Sequence, residues 1–201
     1  MITGKIIIKT RFLLCSVLFF IATVAATVET GESRLALQEV MAKLSEISSS
    51  QANFKEIKTI EFLKKPLTSE GRLSYVAPDH ILKETLKPHY EKFEIKGDFL
   101  HVSKENGESH EINLQNYPAI KAFAEAYRGV LGGNLKRLEQ FYEVSFSGEI
   151  RHWIIVLAPK DDEMSEYIEK LVVEGNAGTV TKMITVETGG DNTEMNIIQV
   201  R

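Results

Sequence analysis

From Ala52 to Leu114 the chain alternates apolar and polar residues in about six short runs, most of them separated by turn-forming residues. A period of two puts successive side chains on opposite faces of a strand, so this segment is expected to fold as consecutive antiparallel strands. "ANFKEIKTIEF" (52–62) sets Phe54, Ile60 and Phe62 on one side of such a strand. "GRLSYVA" (71–77) and "HILKETL" (80–86) flank Pro78-Asp79, with Leu73 and Tyr75 before the turn and Ile81 restarting the pattern after it. "EKFEIKGDFLHVSKENGESHEINL" (91–114) contains two more turns, at Gly97-Asp98 and Asn106-Gly107. The second is the stronger hairpin signal because Asn and Gly both tolerate positive φ.

The period changes on either side of this block. From Ser33 to Ile47 the apolar residues Leu35, Leu37, Val40, Met41, Leu44 and Ile47 form one stripe of a helix, with Ser33 as candidate N-cap. A second helix is expected from Pro118, with Ile120, Phe123, Ala124, Tyr127 and Leu131 at spacings of three or four, stopped by Gly132-Gly133. "NLKRLEQF" (134–141) adds another turn or two of helix, and a short helix fits at 162–168. Five further strands complete the chain: "YEVSFSG", "EIRHWIIVLAP", "KLVVEGN", "TVTKMITVET" and "EMNIIQV". The expectation is a mainly β protein with about eleven strands and about three helices. Twist accumulates along such a meander, so the sheet curls and its concave side must be filled by side chains, helices or a ligand. The expected architecture is an unclosed antiparallel β-barrel with the helices as a lid over the concave face.

Residues 1–26 are set apart from this domain as a cleaved signal peptide. Lys5, Lys9 and Arg11 precede the apolar run Phe12–Ala26, which ends with small residues at Val24 and Ala26. The remaining residues, 27–201, form a single domain without a Pro/Gly/Ser-rich linker. Its formal charge is −7, because the leader takes three of the positive charges that bring the whole chain to −4. That acidity argues against nucleic acid as a partner. The only cysteine, Cys15, lies in the leader, so the exported domain has neither disulfide nor thiolate chemistry.

Motifs for catalysis are missing. His80, His89, His101, His110 and His152 include no pair at helical i, i+4 spacing and no H-E-x-x-H, so no metal site or cofactor is expected. There is no G-x-S-x-G, and Asp161, Asp162 and Glu163 read as the polar start of the short helix. No residue can be nominated as catalytic. What the strands do offer is apolar side chains of one parity: Leu73 with Tyr75, Phe93 with Ile95, Trp153 with Ile155 and Leu157, and Leu171 with Val173. A packed core and an apolar cavity give the same pattern, and the residues leave both open.

An amphipathic helix, six strands, a helical insert and five more strands, behind an export signal, resemble the LolA-type periplasmic lipoprotein carriers. The resemblance spans the whole exported domain. It is strongest over 53–88 and 93–102, where Phe54, Gly71-x-Leu73, Pro78, Pro88 and Gly97-Asp98 follow the family pattern, and continues through 117–148 and 152–162. More narrowly it is similar to a divergent branch thought to work beside RND-type lipid exporters.

The resemblance implies a non-enzymatic periplasmic chaperone that ferries an acylated lipoprotein or another lipid from the inner toward the outer membrane. A transporter in the inner membrane would be the donor. A receptor in the outer membrane, or the membrane itself, would be the acceptor, and the carrier is expected to be a monomer. It places acyl chains against Phe54, Leu73, Tyr75, Ile81, Phe93, Ile95, Leu100, Trp153, Ile155 and Leu157, under lid residues Leu37, Met41, Leu44, Ile120, Phe123 and Tyr127. Two positions depart from the pattern. Ala77 stands where main-line carriers have an arginine that bonds to the lid, and Lys83 where they usually have an aromatic. The cargo is therefore open between a lipoprotein and a phospholipid, fatty-acyl or glycolipid species. The alternative to a carrier is a partner-binding or sensing half-barrel without lipid.

Overall fold

The computed structural model describes residues 31–200, so the expected leader and Cys15 lie outside the described residues. Helix α1 (Gly31–Ser45) leads into six antiparallel strands: β1 (Ser49–Thr59), β2 (Leu67–Val76), β3 (His80–Lys87), β4 (Glu91–Lys96), β5 (Phe99–Lys104) and β6 (Ser109–Asn113). A 3-10 turn, Leu114–Asn116, precedes α2 (Pro118–Leu131) and α3 (Leu135–Phe141). Then come β7 (Tyr142–Glu149), β8 (His152–Pro159), the one-turn helix α4 (Asp162–Ser165), β9 (Ile168–Asn176), β10 (Thr179–Glu187) and β11 (Asn192–Gln199).

All eleven strands form one sheet in the order β6-β5-β4-β3-β2-β1-β11-β10-β9-β8-β7. Every neighbour pair is antiparallel, and the first strand of the chain, β1, pairs with the last, β11, through Phe54↔Ile197 and Glu56↔Met195. The two edges, β6 and β7, do not pair, so the barrel stays open. Most local signals act where expected, but Ser33, the candidate N-cap, lies inside α1, which is already helical at Gly31, and its hydroxyl donates to the Phe146 carbonyl instead. Pro118 sits in the first turn of α2, Gly132 caps its end, and Gly97 and Gly107 take positive φ in the β4–β5 and β5–β6 turns. The strand drawn through 52–62 differs. It runs from Ser49 to Thr59, and Phe62, expected beside Phe54, lies in the following loop 88% exposed, whereas Phe54 is 1% exposed.

The helices fill only one half of the concave side. Leu37, Val40, Met41 and Leu44 of α1, Ala122, Ala126 and Val130 of α2 and Leu138 of α3 pack with Tyr142, Trp153, Ile155, Leu157, Leu171 and Val173 of β7–β9. Each fully buried aliphatic side chain here contributes about 2 kcal/mol. Trp153 fits because its register partners on both sides are glycines, Gly148 on β7 and Gly175 on β9. A Cβ on Gly175 would collide with the indole ring and the Thr179 carbonyl. The indole Nε1 donates to the Ala177 carbonyl at 2.9 Å, so burying the ring leaves no donor unpaired.

Candidate functional site

Over the other half of the sheet, β1–β5 with β10 and β11, the helices leave a cavity of about 980 Å³. That is at the upper end of the range for small-molecule sites, about 300–1,000 Å³. Its floor is the inward parity of the strands: Leu73 and Tyr75 on β2, Ile81 and Lys83 on β3, Phe93 and Ile95 on β4, Leu100 on β5, Met183 on β10, and Met195 and Ile197 on β11. Its roof is the apolar stripe of α2, namely Ile120, Phe123, Ala124, Tyr127 and Leu131, with Leu44 at the end of α1. Phe123 and Tyr127 meet edge to face with centroids 5.0 Å apart.

Six of the ten residues expected on the concave face therefore line the cavity: Leu73, Tyr75, Ile81, Phe93, Ile95 and Leu100. The other four do not. Trp153, Ile155 and Leu157 point to the same side of the sheet but are 0% exposed, because the helices close over β7–β9 and leave no space there. Phe54 is buried beside Gly71, whose Cβ would meet both its ring and the Glu84 carbonyl. Of the lid residues, Leu44, Ile120, Phe123 and Tyr127 face the cavity, whereas Leu37 and Met41 are buried in the core instead.

Sequence reasoning singled out Lys83 but missed the other charged residues inside. Lys83 Nζ lies 2.6 Å from Glu56 Oε2 and 5.0 Å from the centroid of the Phe54 ring. Ser69 Oγ donates to the other Glu56 oxygen at 3.1 Å. Lys58 Nζ pairs with Glu187 Oε1 at 2.8 Å. Tyr127 reaches down from α2 into this region, where burial and then the Glu56 charge raise its phenol pKa well above the ordinary range. The alternation of β1 was the available signal, since Glu56 and Lys58 share the parity of Phe54.

The lid is tied down by charge from the helix side. Ala77 is exposed, and only its backbone N–H is engaged, donating to Ser48 O at 2.8 Å. Instead Arg128 of α2 donates to the Gly97 carbonyl in the β4–β5 turn and to Glu125 Oε1 at 2.9 Å. Arg137 of α3 also donates to the Glu125 carboxylate. Glu125 and Arg128 have side chains only 6% and 3% exposed. Near this end the Tyr75 hydroxyl is buried without a hydrogen-bond partner.

Among the described residues, no group of three or more His, Cys, Asp or Glu side chains is placed to hold a metal ion. No described helix is long and apolar enough to cross a membrane. His80 is bonded to Glu94 at 2.8 Å, and Lys92 also reaches that carboxylate.

Residues 29–197 match the family described as outer membrane lipoprotein carrier protein LolA-like. No curated protein matches the sequence. Among solved structures, a LolA superfamily protein from Nitrosomonas europaea is similar at 10% identity and a TM-score of 0.45, over 83% of this chain and 94% of that one. A putative outer membrane lipoprotein-sorting protein domain from Vibrio parahaemolyticus is similar at 13% identity and 0.44, over 84% and 92%. The MucA/MucB complex of Pseudomonas aeruginosa is similar at 11% identity and 0.44, over 81% of this chain and 56% of that one.

Proposed function

The chain belongs to the LolA-like outer membrane lipoprotein carrier family, and from that premise we propose that it is a non-enzymatic carrier of acyl chains. The observation that carries the reading is the cavity between the concave sheet and α2, lined on both sides by apolar residues and not filled by the core. Acyl chains need such a place to cross water, since each buried methylene contributes about 0.8 kcal/mol. The carrier works in the periplasm after loss of its leader. It takes an acylated lipoprotein or another lipid from an inner-membrane donor and yields it to an outer-membrane receptor or to the membrane itself. It acts as a monomer. Leu73, Tyr75, Ile81, Phe93, Ile95 and Leu100 hold the chains, and Ile120, Phe123 and Tyr127 close over them.

The test is native mass spectrometry of the protein purified gently from the periplasm, followed by lipid extraction. One amphiphile per chain is expected, and Phe93→Asp should lose it while keeping the circular dichroism of the sheet. A ligand-free mass, unchanged after incubation with lipid vesicles, would refute the carrier reading and favour a partner-binding half-barrel.

A further inference from the structure

The charged residues of the cavity gather at one end. The register places Glu56 and Lys58 of β1, Glu91 of β4, Glu187 of β10 and Thr193 of β11 toward one rim. Tyr75, Ile81, Ile95 and Val180 lie toward the other. Lys83 stands between the two, its ammonium drawn to Glu56.

Acyl chains alone give no reason for these groups. Placing charges in a cleft costs solvation, and apolar residues at the same positions would bury tails better. The charges are also held in place. Glu56 is fixed through both oxygens and is 17% exposed, and Lys83 is 26% exposed over the Phe54 ring. Glu91 lines the same region and takes part in no ion pair among the described residues. Three carboxylates and two ammonium groups line this part of the cavity, and Lys104 on β5 stands opposite Glu91 just outside the lining. The hydroxyl of Tyr127 stands above the rim.

We propose that this rim is a headgroup site, and that the cargo is an amphiphile whose head carries a primary ammonium beside an anionic group, as in an amine-bearing zwitterionic phospholipid. The assignment rests on the carrier reading and narrows its cargo. The head inserts between Lys83 and Glu56: its phosphate takes the Lys83 ammonium, and its ammonium donates to Glu56 and Glu91. Each protein charge then exchanges one partner for another of the same sign, and Glu91, which forms no ion pair with Lys104 opposite it, gains a bonded cation. A purely anionic head would take Lys83 from Glu56 and leave that carboxylate without a countercharge. A quaternary head has the charge but no N–H to donate to the carboxylates.

The experiment is capture from phosphatidylcholine vesicles doped equally with phosphatidylethanolamine and phosphatidylglycerol, with the bound lipid quantified after re-isolation of the protein. The wild type should take phosphatidylethanolamine over phosphatidylglycerol by about tenfold, the worth of one charge-assisted hydrogen bond. The isosteric double variant Glu56→Gln, Glu91→Gln should still capture lipid but lose that preference. Equal capture by the wild type, preference for phosphatidylglycerol, or a preference that survives in the double variant would overturn the headgroup site and leave the carrier reading standing. Capture of no lipid by the wild type would overturn both.

Discussion

Replacing Glu125 by glutamine asks how much of the lid's closure is electrostatic. The carboxylate is 6% exposed and receives Arg128 at 2.9 Å as well as Arg137. Arg128, 3% exposed, reaches across to Gly97 of the barrel and so depends on Glu125 for its countercharge. Glutamine keeps the shape but presents one acceptor oxygen and no charge, leaving the Arg128 cation in the interior unpaired. Removing one partner of a buried ion pair costs about 3–5 kcal/mol. Arg137 is 33% exposed and regains water, so the lower end, about 3 kcal/mol, is expected. The loss depends on pH. Burial by itself would raise the Glu125 pKa, but hydrogen bonds from Arg137 and Arg128, with their charges, outweigh it and hold the carboxyl below its ordinary value. A depressed folded pKa gives stability that is complete above the unfolded value, about 4.3, and disappears as pH falls through the folded one. Urea unfolding followed by the fluorescence of Trp153, the sole tryptophan, measures this directly. The wild type should exceed the variant by about 3 kcal/mol at neutral pH, with the gap shrinking below about pH 4. A gap under about 1 kcal/mol at neutral pH, or one that stays constant into acid, would refute the claim that charge latches the lid.

Two further substitutions probe the two halves of the concave side. Gly175→Ala should destabilise the domain by about 3 kcal/mol, because the new Cβ meets both the Trp153 ring and the immovable Thr179 carbonyl; unchanged urea midpoints and near-UV dichroism would show that the socket has slack. Tyr75→Phe should stabilise the ligand-free protein by about 1 kcal/mol, since its buried hydroxyl has no partner to lose. Destabilisation of similar size would mean that the hydroxyl is bonded in solution.

Strand number, helix positions and turn sites follow from local chemistry, and so they were legible in the residues. A period of two, proline in a first helical turn and Asn-Gly between alternating runs each act within a few residues. Even there, reach mattered. The apolar residues at Ile60 and Phe62 extend the pattern of β1, yet pairing with β11 ends at Thr59 and Phe62 is left in the loop.

Which apolar residues line a space and which fill one was decided elsewhere. Phe93 and Trp153 are both aromatic residues of alternating strands that point to the concave side of the sheet. Trp153 became core because α1, α2 and α3 pack directly on β7–β9, and Phe93 kept open space because α2 stands off β4 with the cavity between them. The lid's attachment was hidden for the same reason. Ala77 advertised the absence of an arginine in the β2–β3 turn, but Arg128 and Arg137 meet Glu125 and Gly97 only after the helices fold back over the sheet. Local periodicity fixes the direction in which a side chain points. Only the packing of distant elements sets what it meets there, so strands and helices can be read from the residues, whereas the cavity, its charged rim and its latch arise when the helices fold back over the sheet.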